Sequence, residues 1–387
     1  MKNKLLILFI TSLRLFIFLP QISLSESISQ EDIILSQQES LNISGFINEA
    51  KKYTSTVFED VDYNKLLTSA ISGNLDNRLL GRSILTLLGK ETLGSIRIIA
   101  SIVVIIIIHG ILKSISDGLE NSGISQITYY IQYILIVTLI MVNFSDVIDM
   151  VKTSINNLIS FSNSLIPLLI TLIISTGSIS SANILQPILL FMVTFMGNFI
   201  NGIVLPITLV STSLSIISKV SDRIQLDKLS KFFKSSVVWI LGVILTLFVG
   251  LLSLEGSLSS SVDGITAKTT KAAVSSFIPV VGKILGDAVD TVIGCTTILK
   301  NAVGIVGVIA IIGICILPII KLVTLMATYY IGSAICEPIA DKKITELLSQ
   351  IGDTFKILLA ILCSVSVMII VGVTLVVKIS NSGLMYR

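Results

Sequence analysis

The sequence predicts an all-α polytopic integral membrane protein with about seven to eight transmembrane helices after an N-terminal signal peptide, and with an amphipathic or re-entrant helical hairpin. Two observations lead to this class. Of the 387 residues, 53% are hydrophobic and only 13% are charged, whereas a soluble protein carries roughly 25% charged residues. In addition, 66 consecutive residues between Lys152 and Lys219 contain no acidic, basic or histidine side chain. This composition excludes a soluble multidomain protein, a disordered chain, a coiled coil, a disulfide scaffold and a nucleic-acid binder.

The uncharged runs locate the predicted spans. One crossing of a hydrocarbon core of about 30 Å takes roughly 20 apolar residues, so the long run has room for three. Small and polar residues at Thr176-Gly177-Ser178 and at Asn201-Gly202 predict breaks between spans at about 158–175, 184–201 and 203–218. The last span contains Pro206, which leaves a re-entrant segment as the alternative. Further hydrophobic segments are 93–112, which carries Arg97 and His109, and the uncharged runs 121–145, 235–254, 301–320 and 357–377.

The N-terminus is typical of a secretory signal peptide over residues 1–25. Lys2 and Lys4 precede an apolar stretch, and a small-residue site follows at Ser23-Leu24-Ser25. Arg14 interrupts the apolar stretch, so an uncleaved anchor helix is the alternative. Residues 26–92 then form a polar extracytoplasmic segment. Its apolar residues recur at helical spacing, which predicts amphipathic helices lying on the membrane or against a partner: Leu66, Leu67, Ala70, Ile71, Leu79, Leu80, Ile84, Leu87 and Leu88.

The positive charges predict the orientation. Short cytoplasmic loops are enriched in Lys and Arg, and the most basic short loop is 219–234. Counting crossings from an outside N-terminus also places this loop in the cytoplasm, provided that 203–218 crosses. Residues 255–300 and the C-terminus then lie outside, and residues 321–355 lie inside.

Enzymatic chemistry has little support in the sequence. His109 is the single histidine, and the four cysteines are widely spaced, at Cys295, Cys315, Cys336 and Cys363. Histidine-based metal sites usually need more than one such ligand, and a lone histidine near the end of a span is more often an interfacial or packing residue than the base of a Ser-His-Asp triad. We therefore expect no enzyme activity, no cofactor, no metal site and no nucleic-acid partner.

The most informative region is 255–300, between the transmembrane regions 93–254 and 301–387. Pro279 and Gly282 divide it into two helical pieces. In the second piece, Lys283, Asp287 and Asp290 lie on one face, and Gly282 and Gly286 form a small-xxx-small face that permits close helix packing. The two interpretations are an amphipathic pair at the surface and a polar stripe that lines an aqueous path.

The same region resembles the stage III sporulation protein AE family. The resemblance is carried by Glu255-Gly256, by the run from Ser276 through Pro279 and Gly282-Lys283 to Asp290, and by Asn301-Ala302-Val303-Gly304. It implies a multi-pass protein of the mother-cell membrane around the forespore. It also implies membership of a multi-protein complex, with extracytoplasmic partners and a forespore membrane protein, that forms a channel and supports forespore development after engulfment. The polar N-terminal segment would face the space between the two membranes.

Two hypotheses for function follow. In the first, the chain is a component of that channel or transport complex, with Asn198, Asn201, Lys283, Asp287 and Asp290 near a path; interhelical hydrogen bonding is the alternative role for the asparagines. In the second, it is a non-conducting membrane scaffold that gathers partners through 26–90 and 255–300. An independent secondary transporter is less favoured because the segment pattern has no inverted repeat. A homo-oligomer in the lipid bilayer is compatible with both hypotheses.

Overall fold

The structure is a computed structural model that describes residues 30–55, 57, 62–73, 89, 100–108, 110–111, 122–220, 225–277 and 281–382. For residues 122–126, 128, 132, 254–289 and 379–382 the description is of the backbone. The predicted signal peptide lies outside the described residues. The predicted all-α class is confirmed, because every regular element of these described residues is a helix. In chain order these are α1 (Gln30–Ser40), α2 (Ile43–Thr54), α3 (Tyr63–Ser72), α4 (Ser122–Ser175), α5 (Ile179–Phe199), a π-helical turn (Ile200–Val204), α6 (Leu205–Val220), α7 (Asp227–Phe277), α8 (Val281–Cys336) and α9 (Lys342–Ser382).

Five segments of the described chain are long and apolar enough to cross a membrane: Tyr129–Ser175, Ile179–Val220, Asp227–Ser253, Asp290–Cys336 and Lys342–Lys378. The number is lower than predicted partly because α4 contains both 121–145 and 158–175 in one unbroken helix. An uncharged run indicates that a helix lies in an apolar environment. It does not indicate where the chain reverses direction. Of the predicted segment 93–112, residues 100–108 and 110–111 are helical, and the other residues lie outside the described part of the chain.

The predicted break at Asn201-Gly202 is wrong. Here the chain stays helical through the π-helical turn, in which the Leu205 backbone N–H donates to the Ile200 carbonyl. The wider i→i+5 turn absorbs an asparagine and a glycine without a loop. Residues 184–201 and 203–218 are therefore parts of one continuous segment. The predicted reversal at Thr176-Gly177-Ser178 is confirmed, since Gly177 has a φ of 88°, which favours glycine.

The five long segments run antiparallel to one another along the chain. Lys219 contacts both Asp227 and Glu346, so the loop after α6 and the start of α9 lie at one end of the bundle, which we call the basic end. Asp290, Lys378 and the turn at 176–178 lie at the opposite end. The relative positions of Lys219, Asp290 and Lys378 agree with the predicted orientation, in which the basic loop lies on one side and residues 255–300 and the C-terminus lie on the other.

The amphipathic region is continuous with the helices on both sides. Helix α7 runs past residue 254 to Phe277, and α8 runs from Val281 through residue 300 to Cys336. The predicted limits of a separate hairpin at 255 and 300 thus fall within unbroken helices. Glycine and serine near 255 are weak helix formers, but hydrogen bonding continuous with the apolar part of α7 outweighs their low propensity. The predicted division near Pro279 coincides with residues 278–280, outside the described residues.

The N-terminal helices pack against the chain's own bundle. In α2, Phe46 lies with its ring centroid 5.8 Å from that of Phe161 of α4, and the Tyr53 ring is 6.3 Å from the same side chain. The amphipathic helix predicted around Leu67 is confirmed by α3, in which Leu67 is buried and Leu66, Ala70 and Ile71 are half-buried against the same core. The apolar face of α3 therefore packs against the core of the chain itself.

Tyr63 at the start of α3 links this helix to α2. Its hydroxyl donates to Thr54 Oγ1 of α2 at 2.5 Å. Burial raises the pKa of Tyr63 to about 12, so the phenol stays protonated and remains a donor throughout the neutral range.

Close helix approach in the core depends on glycine. A Cβ atom added to Gly304 of α8 would lie 2.2 Å from Val377 Cγ2 of α9. Val377 is β-branched and has little rotamer freedom in a helix. Gly242 of α7 has no atom within 4 Å of the same added position.

We therefore expect Gly304→Val to destabilise the folded bundle by roughly 1–3 kcal/mol, the usual cost of overpacking a core. The measurement is the thermal midpoint of the purified protein in detergent. Gly242→Val is the matched control and should leave the midpoint nearly unchanged. Equal midpoints for the two variants would contradict the close contact between α8 and α9.

Candidate functional site

Asn201, one of the predicted path residues, forms a contact between helices. Its Nδ2 donates to Asn156 Oδ1 of α4 at 2.8 Å. The Asn201 Oδ1 atom is buried and accepts no hydrogen bond from the described residues. The geometry thus supports the helix-contact role for this side chain, and it identifies Asn156, which the sequence reasoning did not single out.

Asn198 lies one turn earlier, on the outer surface of α5. It is exposed. It lies beside a ladder of three aromatic rings, with centroids 5.7 Å apart between Phe191 and Phe195 and again between Phe195 and Phe199. An amide on an otherwise apolar outer surface is a polar group placed where a membrane protein usually presents hydrocarbon.

The charged candidates are at a distance from the asparagines. Asp290 is half-buried near the start of α8, at the end of the bundle opposite the basic end. Gly307 of α8 lies against Leu165 of α4, which aligns the two helices. About 25 residues of helix, or ~38 Å along the helix axis, therefore separate the level of Asp290 from that of Asn201. The other candidates belong to the first turns of α8, and their side chains are outside the described part of the structure: Lys283, Asp287, Gly282 and Gly286. The structure therefore does not bring Asp290 and the asparagines into one site.

A cluster of charges at the basic end was missed as a site by sequence reasoning. The Lys219 side chain is 8% exposed, and its Nζ donates to Asp227 Oδ2 at 2.7 Å and to Glu346 Oε2 at 2.5 Å. Gln350 Nε2 donates to Asp227 Oδ1 at 3.3 Å. One ammonium group thus joins α6, α7 and α9. The sequence signal was the basic loop itself, but nothing local connects it to a glutamate 127 residues away.

Neighbouring polar contacts extend this cluster into the bundle. Lys234 Nζ of α7 donates to the Gln350 carbonyl of α9 at 2.9 Å. The Tyr330 hydroxyl of α8 donates to Asp353 Oδ1 of α9 at 2.6 Å. Together these contacts fix the axial positions of α6, α7, α8 and α9 relative to one another.

Lys300 is the most deeply buried charged residue of the described chain. Its exposure is 0%, and its Nζ donates to the Val377 carbonyl at 2.7 Å. Val377 lies in the last turns of α9, where the helix dipole is negative and attracts cations. Lys300 therefore holds the end of α9 against α8. From sequence it was only the charge that begins the uncharged run 301–320.

Comparisons with known proteins agree with the sequence resemblance. The family model described as stage III sporulation protein AE matches residues 61–380. The chain is similar to the stage III sporulation protein AE of Bacillus subtilis (strain 168), with 30% identity over 336 residues that cover 84% of each chain. No solved structure matches the chain.

We expect Lys219→Met to destabilise the bundle, because it leaves two carboxylates without their shared cation. Breaking a fully buried pair costs about 3–5 kcal/mol; Asp227 and Glu346 are partly solvated, so we expect roughly 1–3 kcal/mol. The thermal midpoint in detergent measures the change.

Lys342→Met is the matched control for that substitution. Lys342 approaches the same Glu346, but at 4.0 Å and with 89% of its side chain exposed. It should therefore change stability by about 0.5 kcal/mol or less. If both substitutions lowered the midpoint equally, the cluster would not be centred on Lys219.

Proposed function

Since the chain belongs to the stage III sporulation protein AE family, we propose that it is a membrane component of a multi-protein complex that links mother cell and forespore through a channel or transport path. Its role in sporulation follows from the family. In this proposal it resides in the mother-cell membrane around the forespore, binds extracytoplasmic and forespore membrane proteins, and catalyses no reaction. Its loss would stop forespore development after engulfment.

The observation that carries the channel proposal is polarity on the outer surface of apolar segments. Asn156 and Asn198 are both exposed on helices that are otherwise suited to hydrocarbon. Polar groups in membrane segments generally face a bundle interior or a water-filled cavity. A polar outer surface is therefore what a subunit of a shared path would present.

A non-conducting scaffold is the second candidate, and a different observation favours it. The bundle interior is filled by aliphatic side chains such as Val306, Ile311 and Leu362. Asn201 donates a hydrogen bond to Asn156, and no polar path leads from this pair into the described interior. Under this alternative the N-terminal helices and the region 255–300 hold partners together, and passage of solutes is the work of other proteins.

Deletion of the gene in the sporulating host tests the role in development. We expect engulfment to proceed and forespore development to stop afterwards, with rescue by the full-length chain. Vegetative growth is the internal control and should be normal. Normal spores from the deletion strain would refute the proposed role.

Solute flux through the purified full chain in liposomes separates the two candidates. The channel proposal expects release of a small hydrophilic dye, and lower release for the double variant Asp287→Ala, Asp290→Ala if these carboxylates lie near the path. Lys342→Met, far from that end, serves as the control. Release equal to that from empty liposomes would favour the scaffold.

A further inference from the structure

The uncharged runs of three long segments lie at a common depth. Gly304 lies so close to Val377 that a Cβ atom added to the glycine would contact it, which aligns α8 with α9. In the same way, a Cβ atom added to Gly372 of α9 would contact Phe248 of α7 and Leu189 of α5. The runs 235–254, 301–320 and 357–377 are thus side by side. Twenty helical residues span about 30 Å, the thickness of a hydrocarbon core. We call this common depth the membrane layer.

Helix α4 passes through the same layer. Its Ile159 packs against Gly197 of α5, and its Leu165 packs against Gly307 of α8. At the edge nearer the basic end, the Phe144 ring lies 6.0 Å from that of Phe355, next to the beginning of the run 357–377. About twenty residues of α4, from near Ile148 to Leu168, therefore cross the layer.

The outward side of α4 in this layer is polar. Five exposed residues recur every three or four positions and so occupy one side of the helix; we call them the α4 polar face: Asp149, Lys152, Asn156, Ser160 and Asn163. The opposite side is apolar and buried, as at Val151, Ile155 and Leu158. The helix is amphipathic with its polar side away from the bundle, which is the reverse of what contact with lipid requires.

The outward surface of α7 at this depth presents large apolar side chains. Trp239 is 71% exposed and Leu247 is 60% exposed. These side chains suit hydrocarbon. The polar side chains on α4 are therefore not a general property of the bundle exterior.

Helix α2 packs on a different side of α4. Its Phe46 and Tyr53 contact Phe161 of α4. Phe161 is fully buried and lies about 100° around the helix from Ser160. Helix α2 therefore leaves the α4 polar face exposed.

Hydrocarbon cannot cover this surface without a free-energy cost, because a polar group without a hydrogen-bond partner is unfavourable in an apolar medium. Asn156, Ser160 and Asn163 lie within the membrane layer, whereas Asp149 and Lys152 lie at its edge. A dry protein partner would have to supply a matching donor or acceptor for each amide, hydroxyl and charge. Water satisfies all of these groups without such matching.

From these observations we propose that copies of this chain assemble with their α4 polar faces around a shared water-filled path for small hydrophilic solutes. The inference rests on the proposed function and names the surface that would perform it. Each copy presents one such face and has an interior filled with apolar side chains. A closed ring of identical copies gives every face the same aqueous environment. Asp149 and Lys152 would set opposite charges near the end of the path closer to the basic end.

Cysteine accessibility tests the path in the full chain, in membranes of sporulating cells. The four native cysteines are first replaced by alanine, and Ser160→Cys or Asn163→Cys is introduced. A charged, membrane-impermeant thiol reagent should modify these positions at a rate roughly 10-fold or more above that of Leu247→Cys, because a thiol reacts as the thiolate, which needs water. A rate equal to that of Leu247→Cys would overturn the proposal.

Two further readouts separate the failure of this inference from failure of the proposed function. Each variant is scored for rescue of forespore development, so an unreactive Ser160→Cys that rescues refutes the path and leaves the developmental role intact. A bifunctional thiol cross-linker should join copies through position 160. Recovery of monomers alone, from membranes in which position 160 is reactive, would refute assembly from copies of this chain.

Discussion

The axial register of the long helices is the constraint on which the rest of the structure depends. It is fixed at one end by the ammonium group of Lys219, which contacts carboxylates on two other helices. Within the core it is fixed by glycines that allow close approach, as at Gly304 and Gly307. Since these contacts determine which residues share a depth, they also determine which surfaces of the bundle must be compatible with lipid.

Once the register is known, the polar side chains fall into two classes. Some stabilise helix positions, as Lys300 does by donating to a carbonyl near the end of α9. Others, on α4, point outward at the depth of the uncharged runs. The first class accounts for stability. Of the second class, Asn156 accepts a hydrogen bond from Asn201. The outward direction of the face as a whole is better explained by function, because exposure of amides to hydrocarbon is costly.

Much of the fold could be predicted from the sequence because lipid imposes a simple rule on composition. Long runs without charge identify the membrane segments, and the basic loop identifies one end. It was harder to predict where the chain reverses direction and where it continues as one helix. Asn201-Gly202 has the composition of a loop but lies in a π-helical turn, and a 54-residue α4 contains two predicted spans. Local composition does not reveal whether continuous hydrogen bonding will carry a helix through a polar stretch.

The candidate site was less predictable, for a different reason. Asn201 was noticed as a polar residue in an apolar segment, but its partner Asn156 lies 45 residues earlier, and a single sequence does not pair the two. The α4 polar face is visible as a periodicity in the residues from Asp149 to Asn163. Whether that face points inward or outward is decided by the packing of the other helices, which only the three-dimensional register supplies.

The environment of position 160 distinguishes a water-facing α4 polar face from a lipid-facing one. A nitroxide spin label at Ser160→Cys, in the full chain reconstituted with its assembly in liposomes, reports collisions with a water-soluble paramagnetic reagent and with oxygen. The account predicts that the water-soluble reagent dominates at position 160, while oxygen dominates at position 247 on the apolar outer side. Dominance of oxygen at position 160 would place the α4 polar face in lipid and contradict the account.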